Sequence, residues 1–137
     1  MVLSKIFNRN KKKVTKAKDY IYTDGTIYDY ILKNNQLEIL FESYQDYLSR
    51  IVFRDVSFFK EDSDVKGLCV VDEKFKNLKN GRKKALFYVC NDNDEEPAME
   101  IEYQDGYVDS NPNLDEWPEY LKLQKEREFN IANKQNN

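Results

Sequence analysis

The sequence predicts an α+β fold that is mainly β: an antiparallel curled sheet or small sandwich with one C-terminal helix. Three observations lead there. Short apolar runs, several of them alternating with polar residues, recur between residues 26 and 108, with Asp-Gly, Asn-Asn and Asn-Gly dipeptides between them. Tyr and Phe dominate an aromatic content of 14%, and both suit pleated, half-buried surfaces. A helical stripe is found only after Asn111-Pro112-Asn113. Long crossover helices between the strands are missing, which argues against a parallel α/β sheet.

The first strand is expected over Thr26 to Leu32, after the turn dipeptide Asp24-Gly25. Asn34-Asn35 tolerates positive φ and closes a hairpin onto the alternating run Leu37, Ile39, Phe41. Ser43 to Asp46 turns the chain into a third strand, Tyr47 to Val56, with Ile51 and Phe53 on one face and Arg50 and Arg54 on the other. Phe58 to Lys66 reads as a polar connection. Leu68 to Val71 is continuously apolar, as in a strand covered on both faces or a brief buried helix. Asn80-Gly81 ends a basic stretch that begins at Lys74, and Ala85 to Cys90 is a further strand. Met99, Ile101 and Tyr103 alternate with Glu100 and Glu102, an amphipathic strand with its carboxylates outward. Asp105-Gly106 is expected to reverse the chain into Tyr107-Val108.

The helix should run over about 115–130, with Asp115 as cap and Pro118 in the first turn. Leu114, Trp117 and Leu121 form its apolar stripe, which should pack on the sheet. Charge divides the chain further. Residues 1–18 hold seven basic and no acidic side chains, which leaves the remainder at a net −10. The expected organisation is a basic flexible arm over 1–18, a single β-rich domain over 19–132 and a polar tail over 133–137. The arm pairs its lysines with Leu3, Ile6 and Phe7, a combination that suits weak contact with an anionic membrane surface. No apolar signal segment opens the chain and no membrane-spanning run occurs, so the expected compartment is the cytoplasm.

The composition removes much chemistry. Histidine is absent, and with it the commonest general base and zinc ligand. The four glycines stand singly, so no phosphate-cradling loop is present. Cys69 and Cys90 sit in apolar runs and read as two buried thiols, with a disulfide or a reactive thiol as the alternative. No catalytic residue, cofactor or metal site is expected, and nucleic-acid binding is not expected of so acidic a body.

Residues 24–56 combine Asp24-Gly25, Asn34-Asn35, Leu37-Glu38-Ile39-Leu40-Phe41 and Ile51-Val52-Phe53-Arg54-Asp55-Val56. With Glu95-Glu96-Pro97-Ala98-Met99-Glu100-Ile101, this layout resembles small β-rich bacterial immunity proteins of polymorphic toxin systems. The resemblance implies a cytosolic protein that neutralises a cognate toxin, and it supplies no catalytic motif. The residues favoured for partner contact are Asp92, Asp94, Glu95, Glu96, Tyr103, Asp105, Tyr107 and Asp109. That segment is dense in carboxylates, lacks basic residues and carries turn signals, so a protein with a basic surface is its expected partner. The alternative is a peripheral membrane scaffold held by the arm.

Overall fold

The structure is a computed structural model and describes residues 14–61, 64–91 and 95–135. Eight antiparallel strands form one sheet that is not closed into a barrel: β1 (Thr26–Lys33), β2 (Gln36–Glu42), β3 (Leu48–Arg54), β4 (Phe58–Glu61), β5 (Leu68–Asn77), β6 (Lys83–Val89), β7 (Met99–Tyr103) and β8 (Asp105–Asp109). One helix, α1 (Pro118–Gln135), ends the chain. The strand order is β4-β7-β6-β5-β1-β2-β3-β8. The fold class read from the sequence is the fold observed.

The chain itself ties the two sheet ends together. β3 continues through residues 55–57 into β4, and β7 continues through Gln104 into β8. The Arg50↔Asp109 to Arg54↔Asp105 ladder therefore resumes as Phe58↔Glu102 to Glu61↔Met99. Three residues on one strand face two on the other at the bend, and Asp55 there adopts φ +53°. That extra residue is what a β-bulge supplies, a local kink that re-aims both strands. β5 bends the sheet in the same way: Leu68 and Cys69 pair with β1, whereas Val70 onward pairs with β6.

The interior is aromatic. Tyr22, Phe41, Phe53, Phe87 and Tyr103 are all buried, with edge-on contacts such as Tyr22–Phe87 at 4.9 Å and Phe53–Tyr103 at 4.7 Å. A second, smaller cluster lies on the opposite face of β1–β3, where Leu40 is covered by Trp117 and Tyr120. The hairpins follow their turn chemistry. Asn34 and Asn35 both have positive φ, as the expected tight turn requires, and so does Gly81.

Several expectations need correction. Phe58–Glu61 is an edge strand and not a loop, since four residues with two charges give too short an alternation to read. β5 extends through the charged run to Asn77, and its apolar start is covered on one face only: Val70 is buried while Val71 is exposed. The cysteines are not two buried thiols, because Cys69 is half-buried and Cys90 is exposed. The helix runs to Gln135, into the expected tail. Its docking residues are Trp117, which precedes it, and Tyr120; Leu121 is only partly covered. Asn113, not Asp115, caps the 3₁₀ turn before it, accepting the Asp115 N–H at 3.1 Å.

Asp105-Gly106 is not a turn. The chain runs on without reversing, and Gly106 is there because the backbone is crowded: a Cβ would lie 2.9 Å from the Ala17 Cβ and 3.0 Å from the Val52 carbonyl oxygen. The same contact corrects the arm boundary. Ala17 is buried, its carbonyl accepts the Tyr22 hydroxyl at 2.6 Å, and the Thr15 carbonyl accepts the Val108 N–H at 2.9 Å. The fold thus begins inside the segment assigned to the arm. Leu3, Ile6, Phe7 and the first five basic residues lie outside the described residues.

Candidate functional site

The residues expected to make one contact face are dispersed. Asp92 and Asp94 lie outside the described residues. Glu95 and Glu96 are exposed between β6 and β7. Asp105, Tyr107 and Asp109 belong to β8, beyond the other end of β7. β7 has five residues, and at ~3.3 Å per residue it separates the two groups by about 17 Å.

Their chemistry also differs from the expectation. Tyr103 is buried, and desolvation pushes its hydroxyl up to about 12, so it offers no contact area. Asp105 receives the Arg54 guanidinium through two hydrogen bonds, at 2.6 and 3.1 Å, and the same guanidinium lies 4.9 Å from the centre of the Tyr107 ring. Arg50 sits between Glu38 and Asp109, donating to Asp109 at 3.1 Å. Lys84 reaches Glu102 at 3.5 Å. Carboxylates that look unopposed in sequence are opposed in space by cations from β3 and β6. Glu100 and Glu102 do take the outward face of β7, as the alternation predicts.

A different surface is assembled from three distant parts of the chain. Residues 14–21 cross β8, with Lys16 bridged to Tyr107. The β2–β3 turn lies beside them. Its shape is set by Ser43, whose hydroxyl accepts the Gln45 and Tyr47 N–H groups at 3.3 Å, while Asp46 takes φ +64°. This turn holds Tyr44 and Tyr47 out from the sheet, 51% and 66% exposed. Ile21 and Val14 are exposed as well, and the Tyr20 hydroxyl pairs with Ser49 Oγ at 3.2 Å. A cavity of about 230 Å³ runs between Tyr20, Ile21, Tyr44 and Tyr47. A second, of about 470 Å³, shares Tyr20 and Tyr47 and reaches Val14 and Tyr107. A third, of about 260 Å³, adjoins it at Val14 and Tyr107 and is lined by Lys16, Lys18, Lys83 and the Arg54–Asp105 pair. Lys83 Nζ donates to the Gln104 carbonyl at 2.9 Å, which holds it at this wall.

Three adjoining depressions thus lie along this face, with tyrosines at the β2–β3 turn and lysines at the β3–β8 bend. The face can cover apolar area on a partner and place positive charge beside it. Among the described residues no group of three or more Cys, Asp or Glu is placed to hold a metal ion. Among them no helix is long and apolar enough to cross a membrane. One signal for this surface stands in the sequence, the tyrosines Tyr44 and Tyr47 on either side of Gln45-Asp46. The basic wall had none, because its four cations come from three separate segments. No family model, no curated protein sequence and no solved structure matches the chain.

Proposed function

We propose that this protein works by binding another protein, in the manner of an immunity or inhibitor protein that covers its target's working surface. The observation that carries this reading is the exposure of Tyr44 and Tyr47 next to Ile21 and Val14 on a concave face. Tyr is a frequent interface anchor, since a rigid ring buries much area for little lost entropy. The contact face is this aromatic one and not the acidic loop, whose companion carboxylates on β8 are occupied by Arg50 and Arg54. Partner capture from the native cell with the full chain as bait, followed by mass spectrometry, is the test. Tyr44→Ser with Tyr47→Ser should weaken the captured complex at least about tenfold, as loss of one or two anchors does. Capture that survives this change but fails on neutralising Glu95 and Glu96 would return the contact to the acidic loop.

A second reading has its own observation. Lys16, Lys18 and Lys83 line a cavity beside exposed Val14, with Arg54 there held by Asp105, and the three lysines suit an anionic membrane surface. Vesicles with and without phosphatidylserine separate the two: salt-sensitive co-sedimentation that is lost in Lys16→Glu/Lys18→Glu favours the membrane.

A further inference from the structure

Cys69 and Cys90 are far apart in sequence, and the fold sets them directly opposite each other. Val70 pairs with Val89 across β5 and β6, and the next position along that ladder is Cys69 against Cys90. The Cys90 N–H donates to the Cys69 carbonyl at 2.9 Å, one of the two bonds that a hydrogen-bonded antiparallel pair exchanges, and so carries the register one step beyond β6. Such pairs place their Cα atoms about 5.5 Å apart with both side chains on one face. That separation lies within the range of about 4.4–6.8 Å that a disulfide spans. Val70 and Val89 fill the interior, so alternation turns both thiols to the outer face. Cys90 is exposed and Cys69 is half-buried, with its thiol donating to the Val70 carbonyl at 3.6 Å. Burial pushes the Cys69 thiol up, and Asp24 and Cys90 add to that shift.

We propose that Cys69 and Cys90 form a redox-active dithiol site that exchanges with small-molecule disulfides of the glutathione type. Exposed Cys90 is the thiol that attacks first, and Cys69 resolves the adduct. In the first step the Cys90 thiolate attacks one sulfur of the small disulfide, forms a mixed disulfide and expels one thiolate. In the second step the Cys69 thiolate attacks the Cys90 sulfur, closes the Cys69–Cys90 bond and expels the second thiolate. The protein loses two protons and two electrons, and the small disulfide becomes two thiols. The new bond would staple β5 to β6 where β5 changes partner from β1 to β6, at the root of the loop that carries Glu95 and Glu96. An exposed cross-strand bond of this kind belongs to the labile, regulatory class and not to the structural one.

The test is intact-mass measurement and thiol counting on the full chain, folded at neutral pH and incubated with oxidised glutathione. The expected product is a monomer that has lost two hydrogens, shows no titratable thiol, carries no glutathione and is restored by excess reduced glutathione. Cys69→Ser should stop at a stable glutathione adduct on Cys90. Cys90→Ser should react at least tenfold more slowly. A persistent adduct on the wild type, a disulfide-linked dimer, or two thiols left unchanged would each overturn the site. Equal reaction rates in the two single variants would overturn the order of attack. Circular dichroism before and after each incubation confirms that the thiols counted are those of the folded chain.

Discussion

The two hydrophobic clusters on either side of β1–β3 are built on opposite plans. The inner one draws on every strand except β4 and β8 for its buried residues and adds Ala17 and Tyr22 from the N-terminal segment, with ring against ring from Phe41 through Tyr22, Phe87 and Phe53 to Tyr103. The outer one has three buried residues, Leu40, Trp117 and Tyr120, and it exists only because one helix start is laid across the sheet. Removing a piece of the first disturbs the whole ladder. Removing a piece of the second detaches one element. Beyond Gln124, α1 is exposed along its length, and Phe129 and Ile131 remain 66% and 57% exposed. Its attachment therefore rests on Trp117, Tyr120 and the Arg127 guanidinium 5.7 Å over the Tyr28 ring.

The largest effects should separate the clusters most sharply. Phe87→Ala opens a cavity in the inner cluster and should cost about 3–5 kcal/mol, read as a global shift in a denaturant melt. Trp117→Ala removes as much volume, yet its loss should fall mainly on α1. Hydrogen exchange should then show the helix amides opening while β2, β3 and β6 keep their protection. Equal loss of protection in helix and sheet would mean that the outer cluster is part of the same cooperative unit.

Alkaline pH probes the inner cluster by charge. Burial pushes Tyr103 up to about 12 and Tyr22 well above its ordinary value of 10.0. The folded state therefore keeps protons that the unfolded chain releases, and stability falls as pH rises through 10 toward 12. Phenolate absorbance should show Tyr22 and Tyr103 ionising only as the fold is lost. Phenolate formation by Tyr22 and Tyr103 near the ordinary value, with the fold intact, would contradict their burial.

The N-terminal segment gives intermediate effects. Gly106→Ala drives a methyl against Ala17 and the Val52 carbonyl, and should cost about 1–3 kcal/mol. Tyr22→Phe removes the hydrogen bond to the Ala17 carbonyl, and should cost about 0.5–1.5 kcal/mol while leaving the ring packing intact. A Gly106→Ala melt that matches the wild type would show that residues 15–17 lift away freely.

These contrasts also explain what the sequence could disclose. β2, β3 and β7 were legible because the face each turns to the inner cluster is mainly apolar, and the Asn34-Asn35 turn because its backbone needs positive φ. β4 was not legible, because a four-residue edge strand carries Lys60 and Glu61 in half its positions. Asp105-Gly106 misled because a glycine needed for close approach has the same letter as a glycine needed for a turn. The surface charge was misread for a related reason. Acidic residues contiguous in sequence are matched by Arg50, Arg54 and Lys84 from other strands, so charge along the chain was a poor guide to charge on the surface. Tyr103, expected beside those acids, faces inward on the alternation of β7, and the pattern that places Met99 and Ile101 inside already places Tyr103 with them.

The smallest expected effect tests the outer cluster alone, because two terms of opposite sign meet in one side chain. Trp117 is buried to 1%, and its indole Nε1 has no hydrogen-bond partner among the described residues. A buried donor without a partner costs roughly 1–3 kcal/mol of lost hydration. Trp117→Phe removes that donor and keeps most of the aromatic area over Leu40. It also leaves a gap where the larger ring was, and loss of that packing costs a comparable amount. The two terms should cancel to within about 1 kcal/mol, far from the loss expected for Trp117→Ala. A loss on Trp117→Phe as large as on Trp117→Ala would mean that the indole N–H has a partner, such as an ordered water held in the outer cluster, whose bond the phenyl ring cannot replace.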